Sequence, residues 1–141
     1  MIDSDIIENL KKHALLSNIK NNRHAAAILV SGNGICMSYN KQFSMYNTVH
    51  AEISVIKEFI AKTKIKSKLL IKIDIIVIRF SNNTLKNSKP CFACINQMKK
   101  LGIRKVFYSN SDNIIVCENV QDMENTHISS LNRFKIKSGI R

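Results

Sequence analysis

Residues 69–80 read LLIKIDIIVIRF, a run dominated by β-branched residues. Isoleucine first alternates with other residues, at Ile71, Ile73 and Ile75, and the run is then continuously apolar to Ile78. β-Branched residues favour strands, and a strand without a polar face is buried on both sides. Residues 69–80 are therefore predicted to form the central strand of a sheet that helices cover on both faces.

The chain before this strand begins with a predicted helix and a predicted hairpin. Asp5 and Glu8 have the spacing of a capping box, and apolar residues at helical spacing continue to about Ser17. Two apolar segments, Ala25–Val30 and Ile35–Tyr39, flank the turn sequence Ser-Gly-Asn-Gly. Glycine and asparagine between two apolar segments predict a β-hairpin.

Two further helices are predicted, one before and one after the central strand in the chain. The first is Ala51–Ala61, and the second runs from Cys91 to the stop at Gly102. Residues Phe92, Ile95, Met98 and Leu101 are predicted to share the apolar face of the second of these helices. The segment Ser81–Pro90 is polar and predicts a loop. Short strands are predicted at Val106–Tyr108 and Ile114–Cys117.

The predicted order is α-β-β-α-β-α-β-β-α, with a weakly helical tail from Gln121. This order predicts an α/β fold in which a five-stranded mixed sheet lies between helices on both faces. A chain of 141 residues has the size of one domain, so a single domain over residues 1–141 is expected.

Composition excludes several classes of protein. With 45% hydrophobic residues the chain is not disordered by composition, and its apolar runs are too short to cross a bilayer. The first nine residues carry three acidic side chains and no basic region, unlike a signal peptide. We therefore expect an intracellular, cytoplasmic protein with no membrane partner. In that setting the four cysteines favour metal binding or free thiols over disulfides.

The net charge of +12 is large for this length. Lys57–Lys105 holds eleven lysines and two arginines against two acidic residues, a net charge of +11. This charge indicates an anionic partner, either a nucleotide phosphate or nucleic acid. The alternative is codon bias, because the chain is rich in Ile, Lys and Asn as an AT-rich genome would encode. Both explanations stay open.

Three residues have the chemistry of a metal site. Cys91 and Cys94 form a Cys-x-x-Cys pair at a predicted helix start, where backbone N–H groups favour the thiolate. His50, also before a predicted helix, adds an imidazole ligand. Zinc takes such ligands tetrahedrally, and three protein ligands leave a position for water, as in catalytic sites. The expected cofactor is Zn²⁺.

Glu52 follows His50 by two residues, in the first turn of the same predicted helix. It is expected to lie beside the metal without binding it. A carboxylate there can take a proton from water and return it to a substrate. Glu52 is therefore the predicted catalytic acid–base residue.

These residues resemble the zinc-dependent cytidine and deoxycytidylate deaminase superfamily. The His-x-Glu and Pro-Cys-x-x-Cys signature of zinc deaminases stands here as His50 to Glu52 and Pro90 to Cys94. The resemblance covers about residues 25–117 and implies a cytidine deaminase-like three-layer sandwich and oligomers, often dimers. It also implies that Asn40 contacts the substrate's sugar and that the backbone around Ala51 meets the base.

The resemblance implies hydrolytic deamination of a cytosine base, in a nucleoside or nucleotide. Two departures from the family matter. The interval from His50 to Cys91 is longer than in compact members, and a histidine stands where tetrameric nucleoside deaminases usually have a cysteine. The histidine favours the deoxycytidylate, tRNA-adenosine, guanine and APOBEC-like branches. A deaminase of single-stranded DNA or RNA, acting on cytosine or adenine, is the alternative enzyme.

Alternatives from other classes also remain. A catalytically idle zinc module would use a fourth ligand, which His13, His24 or His127 would supply, although ordinary surface positions are expected for all three. A redox Cys-x-x-Cys pair is disfavoured because Pro90 precedes the pair rather than lying inside it. Two further expectations concern single residues. The other two cysteines, Cys36 and Cys117, are expected to be buried apolar thiols. One aromatic residue of the loop before His50, either Phe43 or Tyr46, is expected near the pocket.

Overall fold

The structure is a computed structural model that describes residues 2–44, 47–63 and 72–123. Its helices are α1 (Ser4–Ala14), α2 (Ala51–Thr63) and α3 (Phe92–Leu101), with a short 3₁₀ helix at Val120–Asp122. Its strands, in chain order, are β1 (His24–Val30), β2 (Asn33–Tyr39), β3 (Lys41–Ser44), β4 (Asn47–Val49), β5 (Ile73–Ser81), β6 (Thr84–Lys86), β7 (Lys105–Ser109) and β8 (Ile115–Asn119).

The main sheet has the strand order β2-β1-β5-β7-β8, with β6 added to the end of β5. Only β5 and β7 run parallel among the described pairs of this sheet, because α3 connects them as a crossover. The predicted mixed sheet with five strands along its main path is confirmed. Strands β3 and β4 form a separate two-stranded hairpin that the sequence analysis missed.

The predicted central strand is confirmed in its described part. Every residue of Ile73–Ile78 is buried, although the predicted start at Leu69–Ile71 lies outside the described residues. Alternate β5 side chains enter two separate apolar clusters. Ile73, Ile75 and Val77 pack with α2 and α3, whereas Ile76 and Ile78 pack with α1. Helices therefore cover both faces of the sheet, as predicted.

Several local predictions were wrong. The N-cap of α1 is Asp3, whose carboxylate accepts a hydrogen bond from the Asp5 backbone N–H, so Asp5 does not begin a capping box with Glu8. The N-cap lies two residues earlier than predicted, because Asp3 is as able as Asp5 to cap a helix. The predicted loop Ser81–Pro90 contains β6, which pairs antiparallel with the end of β5.

Two side chains lie outside the predicted core. Phe92 is 49% exposed, because it is the first residue of α3 and the buried face of that helix is formed by Cys94, Ile95 and Met98. Cys117 is exposed on the edge strand β8, whereas Cys36 is buried as predicted. The tail after Met123, including His127, lies outside the described residues.

The turn of the β1–β2 hairpin and the C-terminus of α3 lie where the sequence predicted them. Val30 pairs with Asn33, so Ser31 and Gly32 form a two-residue loop, and both have positive φ. Such a loop follows the twist of the strands. Gly102 ends α3 in the left-handed conformation, with φ of 74°.

Candidate active site

The predicted metal ligands lie at two helix starts. His50 immediately precedes α2, and its carbonyl accepts the first helical hydrogen bond, from Ser54 N–H at 2.9 Å. Cys91 is the N-cap of α3, and its carbonyl accepts from Ile95 N–H at 3.0 Å. Both helices pack on the same face of the sheet, which brings their N-termini together.

The structure brings His50, Cys91 and Cys94 into one group. The Nδ1 atom of His50 lies 3.2 Å from the Cys94 sulfur and 3.6 Å from the Cys91 sulfur. All three ligand atoms lie within 4.8 Å of one another. Tetrahedral zinc with ordinary Zn–N and Zn–S bonds separates two such ligands by about 3.6 Å. The donor set and its spacing therefore fit Zn²⁺.

Over residues 2–44, 47–63 and 72–123, these three side chains form the only group that could hold a metal ion. His13 is on α1, where its Nδ1 lies 3.0 Å from the Asn9 carbonyl. The Nδ1 of His24 lies 3.2 Å from the Asn22 carbonyl. Neither histidine joins the group, so within the described part of the chain the site has three protein ligands.

The two thiols differ in acidity. Hydrogen bonding with Cys94 lowers the pKa of Cys91 to about 4, and the neighbouring His50 acts in the same direction. The same hydrogen bond, together with burial, raises the pKa of Cys94. The pKa of His50 is raised, chiefly by its hydrogen bond with Cys91. The group thus stabilises a thiolate, the form of cysteine that binds metals.

Glu52 is buried beside the ligand group. Its side chain lies in the first turn of α2, and the residue is only 4% exposed. Burial raises the pKa of its carboxyl, while the positive charge of His50 acts in the opposite direction. The carboxyl also shares a hydrogen bond with the Cys94 thiol. A group that can carry a proton therefore contacts a predicted metal ligand.

Asn40 and Ala51 are both buried near this end of the sheet. Ala51 is the first residue of α2 and has no exposed surface. The Asn40 amide is already used within the protein: it accepts from His24 N–H at 3.0 Å and donates to the Asn22 carbonyl at 2.7 Å. These bonds hold the chain before β1 against the end of β2.

A second network, which sequence analysis missed, positions the segment before Cys91. The Ser88 hydroxyl donates to the Val77 carbonyl at 2.9 Å and accepts from Ser109 N–H at 2.8 Å. The Ser109 hydroxyl donates to the Lys86 carbonyl at 2.6 Å. Both serines are buried. A polar loop gives no signal of this network, because its partners come from β5, β6 and β7.

A row of basic residues was also missed. His24 pairs with Arg79, and Arg79 pairs with Lys86, across the adjacent strands β1, β5 and β6. We call His24, Arg79 and Lys86 the basic row. His24 was expected on an ordinary surface, yet its ring is partly buried and its pKa is lowered to about 4, mainly by burial. The strand register that joins these residues cannot be read from the sequence.

The aromatic residue expected near the pocket is not identified. Phe43 is 66% exposed on β3, and Tyr46 lies outside the described residues. In the described ranges, none of the helices has the length and apolar character needed to cross a membrane.

Solved structures share this architecture. A cytidine deaminase from Burkholderia pseudomallei superposes with a TM-score of 0.68 at 17% identity, covering 91% of this chain and all of that one. A dCMP deaminase from the cyanophage S-TIM5 has a TM-score of 0.54 at 19% identity, covering 78% of this chain and 86% of its own. A protein described among the tRNA deaminases of A-to-I editing at the wobble position has a TM-score of 0.57 at 23% identity, covering 77% of each chain.

At these identities the structural likeness establishes the cytidine deaminase fold. No curated protein sequence matches the chain. The profile of one family does match, over residues 2–110, and its description is the cytidine and deoxycytidylate deaminase zinc-binding region. That match includes all three ligands and Glu52. The chain therefore belongs to the cytidine and deoxycytidylate deaminase zinc-binding family.

Proposed function

We propose that the protein is a zinc-dependent enzyme that hydrolytically deaminates a cytosine base in a nucleoside or nucleotide. The observation that carries this proposal is the contact between a group of three metal ligands and the buried carboxyl of Glu52. Three ligands leave a coordination position for water, as in catalytic rather than structural zinc sites. Family membership supports deamination, and the choice of cytosine rests on the resemblance.

His50, Cys91 and Cys94 would hold the zinc ion. A bound zinc would supply Lewis acidity that makes water a nucleophile near neutral pH. The helix starts at His50 and Cys91 fix the three ligand atoms before any substrate arrives. The low pKa of the Cys91 thiol, near 4, favours the charged ligand that zinc requires.

Glu52 would move the protons of the reaction. Its burial excludes bulk water from the carboxyl, and its place in the first turn of α2 holds it against the ligand group. It would accept a proton from the attacking water and deliver one to the base as ammonia leaves. Before it takes up the proton, and again after it has delivered it, the Glu52 carboxylate is negatively charged at a helix N-terminus, where the helix dipole favours that charge.

Asn40 and Ala51 would form part of the substrate site. Ala51 packs in the same cluster as Cys91 and Cys94, and Asn40 is bonded to His24, whose ring is affected by the charges of His50 and Cys91. An amide with two hydrogens and two acceptor lone pairs can bind a sugar hydroxyl while keeping its bonds to Asn22 and His24. We also propose that residues 1–141 form one domain and that the protein acts as a homo-oligomer, with a dimer favoured.

A deamination screen tests the proposal. Zinc-loaded protein is incubated with cytidine, CMP, dCMP, guanine, adenosine and single-stranded oligonucleotides, and both ammonia and the product base are quantified. Uracil products from small cytosine compounds are expected. Conversion confined to oligonucleotides would favour a nucleic-acid deaminase instead. Zinc binding without ammonia from any compound would indicate a catalytically idle module.

A further inference from the structure

The basic row lies on the same face of the sheet as the metal ligands. His24 is two residues before Ala26, and Arg79 is two residues after Val77, in strands where side chains alternate between faces. Ala26 and Val77 belong to the cluster that contains Cys91 and Cys94. Lys86 is the direct antiparallel partner of Arg79 and so shares its face.

The neighbouring residues confirm this assignment of faces. Each member of the basic row has a sequence neighbour that belongs to the cluster on the opposite face, formed with α1. These neighbours are Ala25, Ile78 and Leu85. Position along the strands also places the row near the metal ligands. The charges of Arg79, His50 and Cys91 all act on the His24 ring.

The positive charges of Arg79 and Lys86 are not neutralised within the described residues. Three ion pairs occur there, and none of them includes His24, Arg79 or Lys86. Arg79 donates one long hydrogen bond, from Nη2 to the Asn21 carbonyl at 3.4 Å, and its buried Nε has no partner. Like charges directly opposite each other in a sheet are destabilising. An anion between Arg79 and Lys86 would remove this repulsion and satisfy the Nε donor.

We propose that the basic row binds the phosphate of a nucleoside monophosphate, with Arg79 as the residue that selects the nucleotide over the nucleoside. This inference rests on the proposed function and names the phosphorylated form as its substrate class. A guanidinium presents paired donors that match two phosphate oxygens. Lys86 adds a second charge from the adjacent strand β6, and His24 is the partner of Arg79 on the other side, in β1. The row is short, which suits one terminal phosphate better than an extended nucleic-acid backbone.

Steady-state kinetics on dCMP and deoxycytidine test the proposal. Arg79→Gln should raise KM for dCMP by about 10- to 100-fold, the cost of a lost hydrogen bond to a charged group. Its kcat/KM for deoxycytidine should stay within about twofold of wild type, because the nucleoside carries no phosphate. Arg79→Lys keeps the charge without the fork and should recover part of the loss.

Arg23→Gln is the matched control. Arg23 is adjacent to the row but on the other face, where its Nε donates to the Ser17 carbonyl at 3.3 Å. This variant removes the same charge and should leave both substrates within about twofold of wild type. An equal loss on dCMP and deoxycytidine in Arg79→Gln, or no loss at all, would overturn the proposal. A loss confined to oligonucleotide substrates would overturn it in favour of backbone binding.

A binding measurement separates this proposal from the proposed function. Thermal shifts of the zinc-loaded protein are measured with the monophosphates and the nucleosides of all four bases. If the wild type turns over no cytosine compound, the proposed function fails. The phosphate site still stands when stabilisation by a monophosphate requires Arg79, and it fails when Arg79→Gln and wild type respond alike.

Discussion

The hydroxyl groups of Ser88 and Ser109 lie 2.8 Å apart, between the segment that precedes Cys91 and the end of β7. Both residues are buried, and together they satisfy backbone groups of Val77, Lys86 and Ser109. Cys91, the first cysteine of the ligand group, therefore follows a segment that is fixed by side-chain hydrogen bonds rather than by regular structure.

Ser88→Ala should lower the free energy of unfolding by about 1–3 kcal/mol, since it leaves the buried Ser109 N–H without its acceptor. Urea denaturation measures the change. Ser111→Ala is the control, because Ser111 lies in an exposed turn. Equal stability of the two variants would show that the Ser88 network contributes nothing.

Cys94→Ser should lose zinc. Thiolates dominate the affinity of such a site, and Cys94 lies 3.2 Å from His50 Nδ1 in the ligand group. Wild-type protein is expected to carry about one zinc per chain, measured by elemental analysis. Cys117→Ser is the matched control, because that cysteine is exposed on β8 and outside the group. Retention of zinc by a Cys91→Ser, Cys94→Ser double variant would contradict the ligand assignment.

Glu52→Gln should keep zinc and the fold while losing turnover by about 10²- to 10⁴-fold, the usual cost of removing a general acid–base group. Glutamine has nearly the same shape but cannot accept and return a proton. Zinc content and product formation are measured on the same preparation. Glu58→Gln, in the same helix and outside the ligand group, should remain active. Unchanged turnover in Glu52→Gln would assign the proton transfer to another group.

Because of His24, the free energy of unfolding should be lower in mild acid than at neutral pH. Its folded pKa is about 4, mainly because of burial, against 6.5 in the unfolded chain. The unfolded state therefore takes up the proton first, so stability is complete above pH 6.5 and falls as the pH decreases from 6.5 toward 4. Between pH 7.5 and pH 5 the contribution is about 2 kcal/mol.

Chemical denaturation of wild type, His24→Gln and His13→Gln at these two pH values measures this effect. The loss in His24→Gln should be smaller than in wild type by that amount. His13→Gln, which removes a half-buried histidine of α1 outside the ligand group, is the matched control. Acid protonation of the metal ligands affects all three proteins alike, so only the difference between variants counts. An identical loss in wild type and His24→Gln would contradict the prediction.

The sequence predicted those parts of the fold that depend on residues close together in the chain. The apolar run ending at Ile78, the Ser31–Gly32 turn and the stop at Gly102 each follow from side chains within a few residues. The same holds for the ligand set, because both halves of the motif stand at helix starts. Phe92 was predicted on the apolar face of α3 but is exposed, because helical periodicity does not show which residues along that face reach the core.

The remaining features depend on contacts between distant segments. The basic row exists only because His24, Arg79 and Lys86 share a register across three strands. Strand β6 is three residues long and polar at both ends, so periodicity does not identify it. The bonds of Asn40 to Asn22 and His24 likewise require the closed hairpin.

The turn at Asn82 and Asn83 is a place where this chain could be lengthened without disturbing the site. Both residues have positive φ and close a two-residue connection between Ser81 and Thr84. Strand β6 and the serine network return the chain to the end of β5 before Cys91 is reached. Extra residues at this tip would leave the metal ligands where they are. An insertion at this turn would therefore lengthen the interval from His50 to Cys91 without moving either of the two helix starts that carry the site.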